Sequence, residues 1–282
     1  MTSTVPAPSD IVPSDPLAAA GDSRYAPELE LAARLAEQAG RLLVERSGRL
    51  ERIDHKGPRD VVTEVDHLSE ALVIEGIHDR FPDDAVLAEE SGRTAARGAA
   101  APNGRVWIVD PLDGTINYAN GIPFYCVALA LAVDGEPVVG VVHDPVRGET
   151  FSATADGPAL LDGEPIAVVH KERLQDLVVT VAVGGSVRRR RAVVKQVRAA
   201  RSMGSAALTL AYVANGRFDV YAQGAGLSSW DLAAAGLVAE RAGARVTALD
   251  GSPWFDLARA DRKWTVLAAA PEHHATLLGL LG

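Results

Sequence analysis

The chain has 282 residues, of which 48% are hydrophobic and 23% are charged. This composition is ordinary for a globular protein and excludes a mainly disordered chain. The formal net charge of −9 disfavours broad binding to nucleic acids or anionic membranes, because both partners are polyanions. The single cysteine, Cys126, excludes an intrachain disulfide and a zinc site built from several cysteines, which fits a reducing cytoplasm.

Residues 1–24 are rich in Pro, Ser and Ala and contain neither a basic segment nor a long apolar run. We expect a flexible tail there, and neither a secretory signal nor a membrane span. From Pro27 to Leu43, apolar residues recur every three or four positions, with charged residues between them. This spacing predicts an amphipathic helix.

A second helix and a group of short strands follow. A loop is expected at 53–59. The second helix is expected to begin near Thr63 and to continue past Ile77, and the Phe-Pro-Asp-Asp sequence that follows ends it. Short apolar runs predict strands at 86–88, 106–109, 127–133, 138–143 and 151–154. The Asp-Gly-Glu-Pro turn at 134–137 predicts a hairpin.

The second half of the chain alternates strands with helices. Strands are expected at 177–183, 218–221 and 264–269, and helices at 193–200, 205–214, 231–242 and 272–281. Strands grouped early and alternation later predict an α/β (α+β) protein with two subdomains, about 25–155 and about 156–282.

Three acidic segments each follow an apolar run or open a buried helix: Glu89-Glu90, Asp110 with Asp113, and Asp231. Acids in such positions point into crevices, and if they converge, their repulsion calls for raised pKa values or a bound cation. Oxygen ligands alone favour Mg²⁺, Mn²⁺ or Ca²⁺ over zinc or copper. The same residues also fit purely structural roles, an Asp-Gly turn after a strand and an acid at a helix start, with no part in catalysis or metal binding.

Residues 110–115, with the sequence DPLDGT, are the most informative stretch. The proline biases Asp110 towards an extended backbone, and such a turn can aim both carboxylates and the Leu112 carbonyl at one point. Gly114 lets a ligand approach the backbone closely. If a helix begins here, the N–H groups of Gly114 and Thr115 become donors for a phosphate oxygen.

Four segments together resemble the inositol monophosphatase family of metal-dependent, lithium-sensitive phosphatases. They are residues 60–66 (DVVTEVD), 88–91 (AEES), 107–118 (WIVDPLDGTINY) and 230–236 (WDLAAAG). The resemblance covers about residues 27–282. It implies a five-layered α-β-α-β-α sandwich of the inositol monophosphatase/fructose-1,6-bisphosphatase type, usually a homodimer. It also implies hydrolysis of small phosphomonoesters with two or three Mg²⁺ ions per site, or with Mn²⁺.

The resemblance also implies roles for individual residues. The implied metal ligands are Glu89, Asp110, Asp113, Asp231 and the Leu112 carbonyl. The implied catalytic residues are Glu89, Thr115 and Asp66, which would direct the in-line attack of a metal-activated water on phosphorus. The implied substrate contacts are Asp113, Gly114, Thr115, Gly204, Ser205, Ala206 and Asp231, with Lys56 as a further basic candidate.

The chain departs from the family pattern on the substrate side. Many relatives carry a Glu about seven residues before the aspartate of the Trp-Asp motif, in contact with substrate hydroxyls. Here the segment is one residue longer, and Gln223 is the nearest polar side chain. An uncharged amide there changes polyol recognition, so inositol 1-phosphate is only the first of several candidate substrates. Histidinol phosphate, fructose 1,6-bisphosphate, 3′-phosphoadenosine 5′-phosphate and other sugar or polyol phosphates stay open.

Other features suggest structural roles. The basic run 188–191 reads as a solvated helix face, with contact to a second phosphate as the functional alternative. Cys126 lies in an apolar run and reads as a core thiol. The expected partners are a small phosphorylated substrate and a second copy of the chain, without nucleic acid or membrane, in the cytoplasm. A catalytically inactive scaffold or regulatory binder is the non-enzyme alternative, against which the full set of expected metal ligands argues.

Overall fold

The computed structural model describes residues 23–49, 53–57, 60–94, 104–182, 187–259 and 264–281. The flexible tail predicted at 1–24 falls outside this part of the chain except for its last two residues. One of these, Ser23, donates a hydrogen bond to Asp156 at 2.5 Å. None of the described helices combines the length and the apolar character that crossing a bilayer requires.

The described residues form seven α-helices and fifteen strands. The helices are α1 (Ala26–Arg46), α2 (Glu64–Arg80), α3 (Thr115–Ala119), α4 (Val187–Val194), α5 (Ala206–Ala214), α6 (Ser229–Arg241) and α7 (Pro271–Leu281). The strands are β1 (Ile53–Gly57), β2 (Asp60–Thr63), β3 (Ala85–Ala88), β4 (Gly92–Thr94), β5 (Arg105–Asp113), β6 (Cys126–Val133), β7 (Glu136–Asp144), β8 (Glu149–Thr154), β9 (Ala159–Leu161), β10 (Glu164–Pro165), β11 (Val178–Ala182), β12 (Ala199–Arg201), β13 (Val220–Leu227), β14 (Arg245–Thr247) and β15 (Trp264–Ala269).

Two mixed sheets and a separate hairpin contain these strands. The eight-stranded sheet has the order β10-β9-β8-β7-β6-β5-β3-β4, and the five-stranded sheet has the order β12-β11-β13-β15-β14. In the larger sheet only β3 and β5 run parallel. In the smaller sheet β11 is parallel to β12 and β13, whereas β15 is antiparallel to β13 and β14.

Helices and sheets stack in five layers. Helices α1 and α2 pack on one face of the larger sheet, and α5 and α6 lie between the two sheets. Helices α4 and α7 cover the outer face of the smaller sheet. This stacking confirms the predicted α-β-α-β-α sandwich.

The central strands of the larger sheet are buried on both faces. On β5, Trp107 and Val109 pack towards α1 and α2, whereas Val106 and Ile108 pack in the core shared with α5 and α6. This alternation follows from the two-residue period of a strand. On β6 the face towards α6 carries three alanines and Cys126, which is buried as predicted for a core thiol.

Small residues let α6 lie very close to the sheet. A Cβ atom added at Gly140 of β7 would lie only 2.5 Å from the Ala234 carbonyl oxygen. Likewise, a Cβ added at Gly236 would lie 2.4 Å from the Trp254 ring. The Ala-Ala-Ala-Gly run after Asp231 therefore fixes the depth of α6 in the molecule, and with it the position of Asp231.

Two predicted elements are wrong. The loop predicted at 53–59 contains strand β1, which pairs with β2 in an antiparallel hairpin. The helix predicted at 193–200 is displaced, because α4 ends at Val194 and β12 follows a short turn. Four consecutive arginines hide the apolar periodicity of α4, and a three-residue strand gives no periodic signal. The other predicted elements are present with shifted ends. The subdomain division near residue 155 stays a prediction, and strands as far as Pro165 pair with the larger sheet.

Candidate active site

Three carboxylates from two separate segments meet near the C-terminal end of β5 in the larger sheet. Asp110, Asp113 and Asp231 each offer an oxygen, and these oxygens all lie within 4.8 Å of one another. Asp110 and Asp113 are buried, and Asp231 is partly buried. Oxygen donors this close form a ligand set suited to a hard divalent cation.

A bulge in β5 turns two of these acids to the same side. Asp110 pairs with Ala128 of β6, and Asp113 pairs with Cys126, so three steps along β5 oppose two steps along β6. In a regular strand, residues three apart point to opposite faces. The extra residue of the bulge cancels that alternation and brings both carboxylates to one point.

The third acid comes from the start of α6. The Ser228 backbone N–H donates to Asp231 Oδ2, which places this carboxylate at the helix N-terminus. An acid in the first turn of a helix is favoured by the helix dipole. Because α6 packs tightly on β7 at Gly140, Asp231 lies near the C-terminal end of β5.

Asp110 is buried beside other acids and has few hydrogen-bond donors to offset its charge. Its Oδ1 accepts a hydrogen bond from the Leu112 N–H at 3.2 Å, whereas its buried Oδ2 has no hydrogen-bond partner among the described residues. Burial raises the pKa of Asp110 well above its ordinary value, and the negative charges of Glu89, Asp113 and Asp231 raise it further. A buried acceptor without a donor costs free energy unless something positive binds it. The residues present therefore fit a cation.

Asp113 is held by the start of α5. Its Oδ2 accepts hydrogen bonds from the Ser205 hydroxyl and the Ala207 N–H, both at 2.6 Å. Burial raises the pKa of Asp113, and these donors partly offset that effect. The Cys126 thiol lies 3.9 Å from the same oxygen. Ser205, predicted as a substrate contact, thus also positions an acid of the cluster.

Glu89 completes the acidic group from the loop between β3 and β4. It lines the same cavity as Asp113 and Asp231, and its charge acts on Asp110. The loop is fixed by Glu70 of α2, whose carboxylate accepts from the Glu90 and Ser91 N–H groups at 2.8 and 2.9 Å.

Thr115 and Asp66 form a second polar group beside the acids. The Thr115 hydroxyl lies 3.1 Å from Asp66 Oδ1 and 3.1 Å from the Leu112 carbonyl oxygen. The other oxygen of Asp66 accepts from the N–H and the hydroxyl of Thr63, at 2.8 and 2.6 Å. These bonds form the N-terminal cap of α2. Asp66 is therefore both a helix cap and the orienting partner of Thr115.

Gly114 links the acids to α3, at a position that favours a residue without a side chain. Its φ is +99°, in the region that favours glycine. An added Cβ would lie 3.1 Å from the Phe124 carbonyl oxygen and 3.2 Å from the Ser205 Cβ. The α3 N-terminus and the α5 N-terminus are thus packed against each other across Gly114.

A cavity of about 410 Å³ opens over these groups. It is lined by Glu89, Asp113, Gly114, Thr115, Ile116, Thr180, Val181, Ala182, Ser202, Met203, Gly204, Ser205, Ala206, Thr209, Tyr221, Gln223, Gly226, Leu227, Ser228, Trp230 and Asp231. Among the described residues, no basic side chain lines it. Gln223 and segment 204–206 lie on its wall, and their contact with a substrate remains a prediction. Lys56 lies on β1, and its assignment to the site remains a prediction.

Several residues that shape the site carried no recognised sequence signal. The Asn117 amide donates to the carbonyls of Phe124 and Met203, at 2.7 and 2.8 Å, and so joins α3 to the segment before α5. The Ser69 hydroxyl donates to the Pro111 carbonyl at 2.9 Å and supports the bulge. The Thr-x-x-Asp spacing of the α2 cap could have revealed the role of Thr63, because it is a capping-box pattern.

Comparison with known proteins agrees with this geometry. The inositol monophosphatase family model matches residues 25–281. Inositol monophosphatase 2 of Solanum lycopersicum is 35% identical over 238 residues, which cover 81% of this chain and 89% of the relative. The fructose-1,6-bisphosphatase/inositol-1-monophosphatase of Thermotoga maritima is 34% identical over 229 residues, covering 79% of this chain and 85% of the relative.

A solved structure shares the fold over almost its whole length. The extragenic suppressor protein suhB from Bartonella henselae superposes with a TM-score of 0.83 at 31% identity, covering 90% of this chain and 98% of that one. Sequence, fold and acidic cluster therefore agree. The chain belongs to the inositol monophosphatase family and is a phosphoric monoester hydrolase.

Proposed function

We propose that the protein is a Mg²⁺-dependent phosphatase of polyol or sugar monophosphates, with inositol monophosphate as the first candidate substrate. The observation that carries the proposal is the buried Asp110 Oδ2, which has no donor among the described residues while oxygens of Asp113 and Asp231 lie within 4.8 Å of an oxygen of Asp110. Such a site binds a cation or carries an uncompensated electrostatic cost.

The cations are proposed to be held by Glu89, Asp110, the Leu112 carbonyl, Asp113 and Asp231. This donor set consists only of oxygens, which favours Mg²⁺, with Mn²⁺ as the alternative and two or three ions per site. When bound, such ions neutralise negative charge on the acids and the phosphate and lower the pKa of a water molecule.

Thr115 and Asp66 are proposed to orient the attacking water and to hold its proton. The Asp66 carboxylate is anchored through Oδ2 by Thr63, so Oδ1 stays directed at the Thr115 hydroxyl. Because the Thr115 hydroxyl donates its hydrogen bond to Asp66, the lone pairs of its oxygen can accept a hydrogen bond from a water molecule. Glu89 is the candidate general base, because it lines the cavity next to the acids.

Backbone groups are proposed to bind the phosphate. The cavity wall contains the first residues of α3 and α5, Thr115 and Ala206, and Ser228, the N-cap of α6. The N–H groups of Gly114 and Thr115 are the proposed donors, and the partial positive charge of these helix ends favours an anion. Backbone donors are important here, because none of the described residues that line the cavity has a basic side chain. The proposed substrate contacts also include Gly204, Ser205 and Ala206, with Lys56 as a candidate.

The experiment is phosphate release measured over a substrate panel with Mg²⁺, with Mn²⁺ and with a chelator. The panel contains inositol 1-phosphate, histidinol phosphate, fructose 1,6-bisphosphate and 3′-phosphoadenosine 5′-phosphate. We expect release that requires a divalent cation and is abolished by Asp110→Asn. The control is Asp144→Asn: Asp144 is also buried, but it is bonded to Tyr212 and Arg147 and does not line the cavity. Full activity of Asp110→Asn, or full activity in chelator, would refute the proposal.

Two associated expectations are tested separately. A homodimer is expected, and light scattering coupled to gel filtration would measure its mass. The non-enzyme alternative, a scaffold or regulatory binder, predicts that no member of the panel releases phosphate with either cation. A cytoplasmic location remains a prediction from the composition.

A further inference from the structure

The inference concerns the buried face of α2 over its first two turns. Asp66, Ser69 and Glu70 lie there, at spacings that place them on one side of a helix, and all three are buried. Further along the same face, the buried residues include the apolar Val73 and Ile77. Buried polar groups cost free energy unless they are hydrogen-bonded, so the partners of the three polar side chains indicate what this face does.

Each of the three side chains is bonded to a different segment of the candidate active site. The Asp66 carboxylate accepts a hydrogen bond from the Thr115 hydroxyl at 3.1 Å. The Ser69 hydroxyl donates to the Pro111 carbonyl at 2.9 Å, within the bulge that carries two of the acids. Glu70 is bonded to the loop between β3 and β4, which carries the proposed general base. One helix face therefore contacts three segments that supply proposed catalytic or metal-binding groups.

Glu70 holds two consecutive backbone groups of that loop. Its Oε2 accepts from the Glu90 N–H at 2.8 Å, and its Oε1 accepts from the Ser91 N–H at 2.9 Å. Both oxygens of the carboxylate are thus used, and hydrogen bonds to an ionised acceptor are stronger than those between neutral groups. None of these three residues is part of the described lining of the cavity. Glu70 therefore acts on the loop and does not contact a substrate in the cavity.

The N–H group of Glu89 itself is bonded to the larger sheet. It donates to the Val109 carbonyl at 3.2 Å, one residue before Asp110. The loop has only three residues, because Ala88 and Gly92 pair with each other across the hairpin of β3 and β4. All three N–H groups of the loop therefore have defined partners, one on β5 and two on α2. The backbone is fixed on both sides of the Glu89 side chain.

We propose that Glu70 is a positioning residue for Glu89: by holding the Glu90 and Ser91 N–H groups, it places the Glu89 carboxylate where it can share a cation with Asp110. The inference rests on the role of Glu89 in the proposed function. Glu70 acts through Glu89 and is not itself a ligand of the cation. Groups that hold a metal ligand in place typically contribute about 10- to 100-fold to metal affinity or activity.

Two other roles of a buried carboxylate would give different results. The negative charge of Glu70 could raise cation affinity from a distance, or the side chain could only stabilise the packing of α2. Glu70→Gln keeps the size of the side chain but replaces one acceptor by a donor and removes the charge. Glu70→Asp keeps the charge but is one methylene too short to reach both N–H groups. Positioning requires that both variants weaken cation binding, whereas an effect of charge is confined to Glu70→Gln.

The test is the dissociation constant of Mn²⁺, measured by electron paramagnetic resonance on the metal-free protein. It is determined for the wild type, Glu70→Gln and Glu70→Asp, and for Glu70→Gln in a Glu89→Gln background. The matched control is Glu75→Gln, because Glu75 is exposed on the same helix and does not line the cavity. Thermal unfolding in chelator measures the stability of each variant separately from metal binding.

We expect Glu70→Gln and Glu70→Asp to raise the Mn²⁺ Kd about 10-fold or more. Glu75→Gln should leave it unchanged. In the Glu89→Gln background, Glu70→Gln should raise the Kd by about 2-fold at most, because a residue that acts through Glu89 loses its effect when that ligand is altered. The Mg²⁺ concentration that gives half-maximal phosphate release should rise with the Mn²⁺ Kd.

Hydrogen exchange tests the contact itself in the absence of any cation. In chelator, the Glu90 and Ser91 amides of the wild type should exchange slowly, and both should exchange faster in Glu70→Gln. If Glu70→Gln does not fold, as judged by circular dichroism, Glu70→Asp and exchange in the wild type decide the question.

Four results would each overturn the inference. They are an unchanged Kd in Glu70→Gln, a loss that Glu70→Asp does not share, a loss that persists undiminished in the Glu89→Gln background, and unprotected Glu90 and Ser91 amides in the wild type. All four leave the proposed function intact. A wild type that binds no Mn²⁺ and releases no phosphate would instead overturn the proposed function and the inference together.

Discussion

Replacing Asp110 by Asn should stabilise the cation-free protein while abolishing its activity. Most substitutions of a buried residue destabilise, so the sign of this effect is diagnostic. Asn keeps the size and one acceptor of Asp110, and it removes a charge whose Oδ2 has no donor among the described residues. The free energy of unfolding should therefore increase when no cation is present.

The magnitude follows from the spacing of the acids. Two unit charges separated by the 4.8 Å limit of this cluster repel by about 3.5 kcal/mol at an effective dielectric constant near 20. Asp110 interacts with both Asp113 and Asp231, but its raised pKa means that a proton shared among these acids already relieves part of the repulsion. We expect a net gain of about 2 kcal/mol in the free energy of unfolding, which corresponds to roughly 4–8 °C in Tm.

The assay is thermal unfolding of wild type and Asp110→Asn in chelator and in saturating Mg²⁺. In chelator the variant should melt higher than the wild type. In Mg²⁺ the wild type should gain more than the variant, because ligand binding stabilises the state that binds it. The control Asp144→Asn should lower Tm in both conditions, since it weakens bonds to Tyr212 and Arg147. A variant that melts lower than the wild type in chelator would refute the electrostatic reasoning.

Four further predictions address the parts that support the cluster. Thr115→Val should lower kcat roughly 100-fold or more with little change in KM, whereas Thr115→Ser should keep most activity, because the hydroxyl bonded to Asp66 is the functional group. Gly114→Ala should lower kcat/KM about 10-fold or more, since its Cβ would meet the Phe124 carbonyl at 3.1 Å at a φ of +99°. Gly140→Ala should lower both Tm and Mg²⁺ affinity by moving α6, whereas Gly279→Ala, which meets open space in α7, should raise Tm slightly. In the cation-free protein, the raised pKa of Asp110 contributes stability that is complete below its ordinary value of 3.8 and is lost as the pH rises through the folded-state value. The stability difference between Asp110→Asn and wild type, from urea titrations, should therefore grow from pH 4 towards neutrality, and a constant difference would contradict the assignment.

The local chemistry of the site was predictable from the sequence because it depends on short contiguous patterns. The DPLDGT segment predicts two acids, a carbonyl and a glycine aimed at one point, and the structure has both acids within one cluster. The small residues after Asp231 predict a helix buried at close distance, and α6 has that packing. Both patterns act through neighbours in the chain, so a sequence displays them directly.

Long-range relations could not be predicted in the same way. The anchoring of Asp113 by Ser205 joins residues that are far apart in the chain, and it depends on how α5 is placed by packing. The bulge that turns Asp110 and Asp113 to one side is a relation between β5 and β6. No local periodicity encodes such a register shift.

The central claim is that Asp110, Asp113 and Asp231 jointly bind a divalent cation. Its most direct test is anomalous diffraction from crystals of the protein soaked in Mn²⁺. We predict at least one anomalous peak within about 2.5 Å of a carboxylate oxygen from each of two or more of these residues, with the Asp110 Oδ2 among them. Well-ordered carboxylates without any anomalous peak at saturating Mn²⁺ would contradict the claim.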